Sequence, residues 1–223
     1  MKKIIPFSLL LVFLILNKSL AQEVYLIAGT NLSTLDLSNN DQDFIKSRIK
    51  QPGFQIGAAY ELNIGNDFSF FPQAQFSLKR EKTFTEIVFS INNPEDSNYN
   101  STVFKQEIQY NEYYLDIPLS FKYSFPIKEF NLNIIAGPYF NLLLFDNNKT
   151  NSNGEEATEF KITEKFINRL DYGFNIGIGV NYKSIILNLS SAFGIYREMK
   201  YEELIIDNKV KNNILKLSVG YKL

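Results

Sequence analysis

The stretch Tyr113-Tyr114-Leu115-Asp116-Ile117-Pro118-Leu119-Ser120-Phe121-Lys122-Tyr123 sorts its side chains by parity. Odd positions carry Tyr, Leu, Ile, Leu, Phe and Tyr; even ones carry Tyr114, Asp116, Pro118, Ser120 and Lys122. A helix would scatter these residues around its circumference, whereas a strand places them on two opposite faces. The same period recurs on both sides. Leu132, Ile134, Ala136, Pro138, Phe140, Leu142 and Leu144 form one row, and Tyr172, Phe174, Ile176, Ile178, Val180 and Tyr182 another. Leu187–Ile195 and Leu215–Leu223 follow, and Val24–Thr34, Phe54–Leu62 and Phe68–Leu78 precede, giving eight expected strands.

The connections carry as much information. Asn63–Asp67, Ser124–Glu129 and Tyr182–Ser184 are tight, while Asp36–Pro52, Lys82–Gln106, Asp146–Lys165 and Arg197–Asn212 are long and polar. Long and short alternate strictly, so all long loops fall on one rim. That is the pattern of an all-β, eight-stranded antiparallel up-and-down transmembrane barrel, with short periplasmic turns and longer external loops. A secreted lipocalin-like barrel also alternates, but hides its apolar face and wets the other. Between Asp171 and Asn181 the polar face is mostly Gly and Asn with one charge, too few charges for a soluble surface. The apolar face is bulky along nearly every strand, which suits lipid rather than water.

Composition narrows the chemistry. The 223 residues contain no His, Cys or Trp. Ser-His-Asp and Cys-His hydrolases, Cys- or His-ligated metals and disulfides are thereby excluded. Met1–Ala21 reads as a signal peptide: Lys2 and Lys3, the apolar Ile4–Leu16, then Ser19-Leu20-Ala21. Its core is too short to cross ~30 Å of hydrocarbon at ~1.5 Å per residue. Residues 22–223 are then the barrel domain. Removing the leader takes away Lys2, Lys3 and Lys18 and no acid, leaving 20 basic against 24 acidic side chains. Such an exported, mildly acidic chain is not a nucleic-acid binder.

If the polar face lines the lumen, Glu61, Lys79, Glu112, Asp116, Lys122, Asp171, Lys216 and Lys222 point inward. They are expected to form a structural ion-pair network, because eight strands leave an interior just wide enough for side chains to fill. Other constellations carry less. Glu112 and Asp116 share a face about 13 Å apart, too far for an acid/base pair. Gly173, Gly177 and Gly179 lie within a strand and are no nucleotide fingerprint. Lys149–Gly154 has the amides and glycine of a calcium loop but begins on a lysine, and reads as a solvated loop. Asn100-Ser101-Thr102 is a formal sequon without further support. Tyr60, Phe68, Tyr123, Phe130, Tyr182 and Tyr221 read as an interfacial girdle.

Tyr114-Leu115-Asp116-Ile117-Pro118-Leu119 with Lys122-Tyr123 resembles the Y-L-E/D-I-P-L…K-Y stretch of the PorT-like outer-membrane β-barrel family of Bacteroidota. Gly137-Pro138-Tyr139, Asp171-Tyr172-Gly173 with Gly177 and Gly179, and Ala28-Gly29-Thr30-Asn31 resemble its other signatures, in the same order. The resemblance implies an eight-stranded outer-membrane barrel and no defined activity. The expectation is therefore a non-enzymatic envelope component without cofactor. Its partners would be outer-membrane lipid, the barrel-assembly machinery through the C-terminal strand, and an envelope protein or surface polymer at the loops. The alternative is a narrow channel or a small-ligand barrel. Thr83–Ile91 and Ser101–Tyr110 continue to alternate and are expected to form a projecting hairpin tipped by Asn92–Asn100, carrying Phe84, Val88, Phe89 and Phe104.

Overall fold

The computed structural model describes residues 22–37, 45–91, 100–152, 158–160, 169–195, 197–198 and 209–223. The expected leader at 1–21 and the expected hairpin tip at 92–99 lie outside them. The strands in chain order are β1 (Gln22–Leu37), β2 (Ile45–Gly65), β3 (Phe68–Ile91), β4 (Asn100–Ile127), β5 (Phe130–Asp146), β6 (Asn148–Ser152), β7 (Thr158–Phe160), β8 (Leu170–Tyr182), β9 (Ile185–Gly194), β10 (Arg197–Glu198) and β11 (Lys209–Lys222). Eight of them close a ring in the order β1-β2-β3-β4-β5-β8-β9-β11, with β11 returning to β1. Every seam is antiparallel, so no edge of the ring is left unpaired in lipid.

Parity decides the faces. Asp116, Ser120, Lys122 and Asn175 are buried, whereas Phe174 and Ile176 are half exposed on the outer wall. Inward glycines make room for their neighbours: a Cβ on Gly177 would stand 2.6 Å from the Ser190 Cβ. At the short-turn rim, Asn66 and Asp67 both adopt positive φ (48° and 63°), the handedness that a two-residue hairpin turn requires.

Two aromatic belts mark the bilayer. At the short-turn rim Phe68 stacks on Phe121 (5.7 Å), Tyr123 meets Phe125 (4.6 Å), and Phe130 stacks on Tyr182 (4.8 Å). A second belt, not anticipated from the sequence, joins Phe54, Phe76, Tyr113 and Phe145. Tyr113 and Tyr123 lie ten residues apart on β4, about 33 Å of strand at ~3.3 Å per residue. Tilted by ~40°, that distance spans the ~25 Å apolar band of an outer-membrane barrel. An arginine at Ile176, in the middle of this band, is expected to destabilise the folded barrel in lipid by ~2–4 kcal/mol. Unfolding in vesicles measures the cost, and a stability equal to wild type would invert the assignment of faces.

The long connections are more ordered than their polarity implied. Ile45–Gln51, read as loop, is strand, and so is most of Lys82–Gln106, where pairing continues to Ile91 opposite Asn100. The expected hairpin is therefore present in the backbone, although the side chains of Val88, Phe89 and Phe104 lie outside the described residues. The stretch read as a solvated calcium-like loop also contains strand. Asn148–Ser152 pairs with both β4 and β7, and Lys149 meets Glu159 at 3.5 Å. Arg197–Glu198 pairs with β11 inside the last connection. β3 and β4 run 24 and 28 residues, more than twice the length a spanning strand needs. On one side the wall thus rises above the upper belt as a sheet, with Lys82 and Glu107 paired at 2.6 Å on it.

Candidate functional site: the barrel interior

The inner face holds two ionic clusters at different depths. In the first, Asp116 on β4 receives Lys216 from β11 at 2.8 Å and Lys79 from β3 at 3.1 Å, with Ser77 donating at 3.0 Å. Lys79 and Asp116 are almost wholly buried, and Lys216 nearly so. The Lys79 ammonium also sits 3.7 Å from the centre of the Tyr114 ring. One carboxylate thus ties β3 and β4 to β11 across the barrel. The residues come together because inward positions on adjacent and facing strands project into one narrow space, which long ammonium stems can cross.

Nearer the short-turn rim, Lys122 pairs with Glu61. Ser69 donates to Glu61 at 2.7 Å, and the Tyr25 hydroxyl lies 3.1 Å from its other oxygen. Tyr25 also reaches Glu23 at 2.6 Å, and Lys222 pairs with Glu23. Lys222 therefore belongs to this cluster through a partner that the sequence did not single out. Glu23 could have been found by stepping two residues back from Tyr25 on the same face, had the register of β1 been known.

Glu112 and Asp171 take hydrogen-bond donors of their own beside the first cluster. Glu112 lies opposite Lys79 in the ladder, but it accepts from the Tyr114 hydroxyl at 2.8 Å while Lys79 turns to Asp116. Asp171 accepts from Asn141 and Asn212 at 3.2 and 3.1 Å. Glu81 and Asp146 are also buried, so the inner charges are not the even balance of acid and base that the eight expected residues gave.

The inner face is not uniformly polar either. Tyr25, Ile27, Ala59, Phe71 and Ile186 pack together as a buried apolar cluster, and Tyr139, Ala192 and Ile214 as another. Lys122 lies 5.2 Å from the Phe71 ring, so the first apolar layer roofs the lower ion cluster. Below that roof a polar vestibule of about 330 Å³ opens beside the tight turns, lined by Glu61, Asn63, Lys122, Asn131 and Asn181 among others. Beside Lys79 and Glu112 there is a further cavity of only about 20 Å³, room for a single water. No cluster of potential metal ligands occurs among the described residues.

A closed antiparallel ring, an apolar outer band between two aromatic belts and an inner face carrying buried charges are the physical marks of a membrane barrel. A family model for the outer membrane protein β-barrel domain matches residues 20–199. The chain belongs to that family. As an outer membrane β-barrel protein it resides in the outer membrane. No curated protein matches it. Among solved structures it is similar to the attachment invasion locus protein Ail of Yersinia pestis, solved with a heparin analogue. That pair shares 15% identity over 91% of this chain and 99% of that one, with a TM-score of 0.33. Neisserial surface protein A is similar at 14% identity, 90% and 97% coverage and a TM-score of 0.36. OprG of Pseudomonas aeruginosa is similar at 10% identity, 92% and 97% coverage and a TM-score of 0.39.

Proposed function

We propose that this outer membrane β-barrel is a non-enzymatic structural and interaction component of the envelope. In this reading the barrel is its anchor and the projecting sheet its contact surface. The observation that carries the reading is the occupied lumen, where an apolar layer of Ile27, Ala59, Phe71 and Ile186 lies between two ionic clusters. Such a barrel offers solutes no open path. Its accessible chemistry is then on the rims, above all on the β3–β4 extension beyond Tyr113. Partners of matching character are an envelope protein or a surface polymer there, outer-membrane lipid around the band, and the assembly machinery at β11. The sequence signatures around Pro118 and Pro138 support placement in the PorT-like branch found in Bacteroidota.

Single-channel recording of the purified protein in a planar bilayer tests the reading, together with cross-linking of wild type and of a form lacking Thr85–Thr102. The expected results are no steady large conductance and loss of cross-linked partners in the shortened form. Steady conductance with an unchanged partner set would promote the channel instead. The vestibule of about 330 Å³ favours one second reading, capture of a small ligand from the short-turn side, since its size lies within the range of ligand pockets.

A further inference from the structure

Three seams of the wall are interrupted at mid-depth, and each interruption has the same cause. Between β2 and β3 pairing runs from Phe54 with Leu78 to Ala59 with Gln73, then resumes at Leu62 with Phe70. The register is unchanged across the gap, so the two skipped pairs are Tyr60 with Pro72 and Glu61 with Phe71. Between β3 and β4 the ladder skips Gln73 with Pro118 and Ala74 with Ile117. Between β4 and β5 it skips Leu119 with Pro138 and Ser120 with Gly137. Proline has no N–H to donate. In an antiparallel ladder one missing donor removes its own hydrogen-bonded pair and the adjoining wide pair that shares the bond. Two skipped pairs beside each proline are what that rule requires. The carbonyls of Tyr60, Gln73 and Leu119 are thereby left without a ladder donor.

Prolines within sheets are normally confined to edges and bulges. Here three occupy consecutive interior strands, and each faces the preceding strand. Pro72 stands opposite Leu119, and Pro118 opposite Tyr139, so the three gaps form one stair across β2, β3, β4 and β5. Pro118 lies midway between the belts at Tyr113 and Tyr123. The seams of β8 with β9, β9 with β11 and β11 with β1 run without a skipped pair.

We infer that Pro72, Pro118 and Pro138 form a hinge line at mid-bilayer, on which the β2–β5 half of the wall bends against a stiff β8–β9–β11–β1 half. Two further observations give the hinge a purpose. The strands it crosses include β2, β3 and β4, which continue beyond the upper belt as the projecting sheet. Asp116, two residues from Pro118, is the carboxylate that ties β3 and β4 to Lys216 on the stiff half. The salt-bridged cluster is a latch across the line, and a load on the projection is relieved at the prolines. The inference is independent of which partner the projection meets.

Amide hydrogen exchange on the full chain folded in nanodiscs tests it. In wild type the amides of Tyr60, Gln73 and Leu119, each facing a proline that returns no hydrogen bond to the pair, are expected to exchange at least ten-fold faster than those of Ile176, Leu189 and Leu217. Those three lie in uninterrupted seams of the same band. Pro118→Val gives the Gln73 carbonyl a donor, completes the pair of bonds between residues 73 and 118, and by stiffening that pair should slow exchange of the Gln73 amide ten-fold, while leaving Ile176 and Leu217 unchanged. Asp116→Asn should speed exchange on β3 and β4 and not on β9. Equal protection of both halves in wild type overturns the hinge, whether or not either variant folds. Unchanged exchange in a folded Pro118→Val does the same.

Discussion

Deleting Lys216–Leu223 is expected to abolish accumulation of the protein in the outer membrane. This segment is paired on both sides, through Lys216 with Ser190 to Tyr221 with Ile185 on β9, and Lys216 with Asn31 to Lys222 with Tyr25 on β1. Removing it opens the ring and strips ladder partners from two strands at once. In hydrocarbon each orphaned backbone group costs several kcal/mol, which over this length exceeds the ~5–15 kcal/mol that holds a typical domain folded. The deletion also takes Lys222 from Glu23 and leaves Asp116 with Lys79 as its one salt-bridge partner of two. Quantitative immunoblotting of membrane fractions, with heat-modified mobility as the sign of a folded barrel, reads the outcome. Normal levels of a heat-modifiable species would show that the ring does not need this strand.

The elements that face lipid on one side and a polar lumen on the other were legible in the sequence. Tyr113–Tyr123 and Tyr172–Tyr182 alternate because one row must be apolar and the other need not be. Above the upper belt that contrast disappears. Arg80, Lys82, Glu107 and Gln109 stand outside with Glu81 and Thr83 inside, so both faces are polar; the hairpin stayed legible only through the apolar residues of Thr83–Ile91 and Ser101–Tyr110, while Ile45–Gln51 read as loop. The apolar layer in the lumen was hidden for the opposite reason. Leu26-Ile27, Phe70-Phe71 and Ile185-Ile186-Leu187 are apolar on both faces, and parity says nothing where neighbours are alike. Which inner charges meet depends on register. The acids and lysines were recognisable singly, but their partners were not, and Lys222 with Glu23 spans nearly the whole chain. The prolines were visible too, yet that they face one another in a stair follows only from the pairing of four strands.

The second large effect is expected at Asp116. Replacing it with leucine leaves Lys79 and Lys216 facing each other in a space that water hardly enters, each ammonium having lost its carboxylate. Removing one partner of a buried ion pair typically costs ~3–5 kcal/mol, and here one substitution leaves two cations behind. The Tyr114 ring offsets only part of this, since a cation–π contact contributes roughly 0.5–2 kcal/mol and reaches Lys79 alone. Chemical unfolding in detergent should therefore show a loss of at least ~3 kcal/mol in Asp116→Leu. Changing the two lysines as well separates charge from packing. If the cost is uncompensated charge, Lys79→Met and Lys216→Met added to Asp116→Leu should recover most of the stability, because an apolar replacement of a whole buried ionic cluster is often neutral or stabilising. If the triple variant stays as unstable as the single one, the cluster holds the barrel by its shape and by the Ser77 hydrogen bond instead. The same pair of measurements bears on specificity. A triple variant that is stable but populates more than one barrel form in an unboiled gel would mean that the Asp116 cluster selects one closed arrangement of the wall by tying β3 and β4 to β11 across the lumen, a role that apolar packing cannot fill.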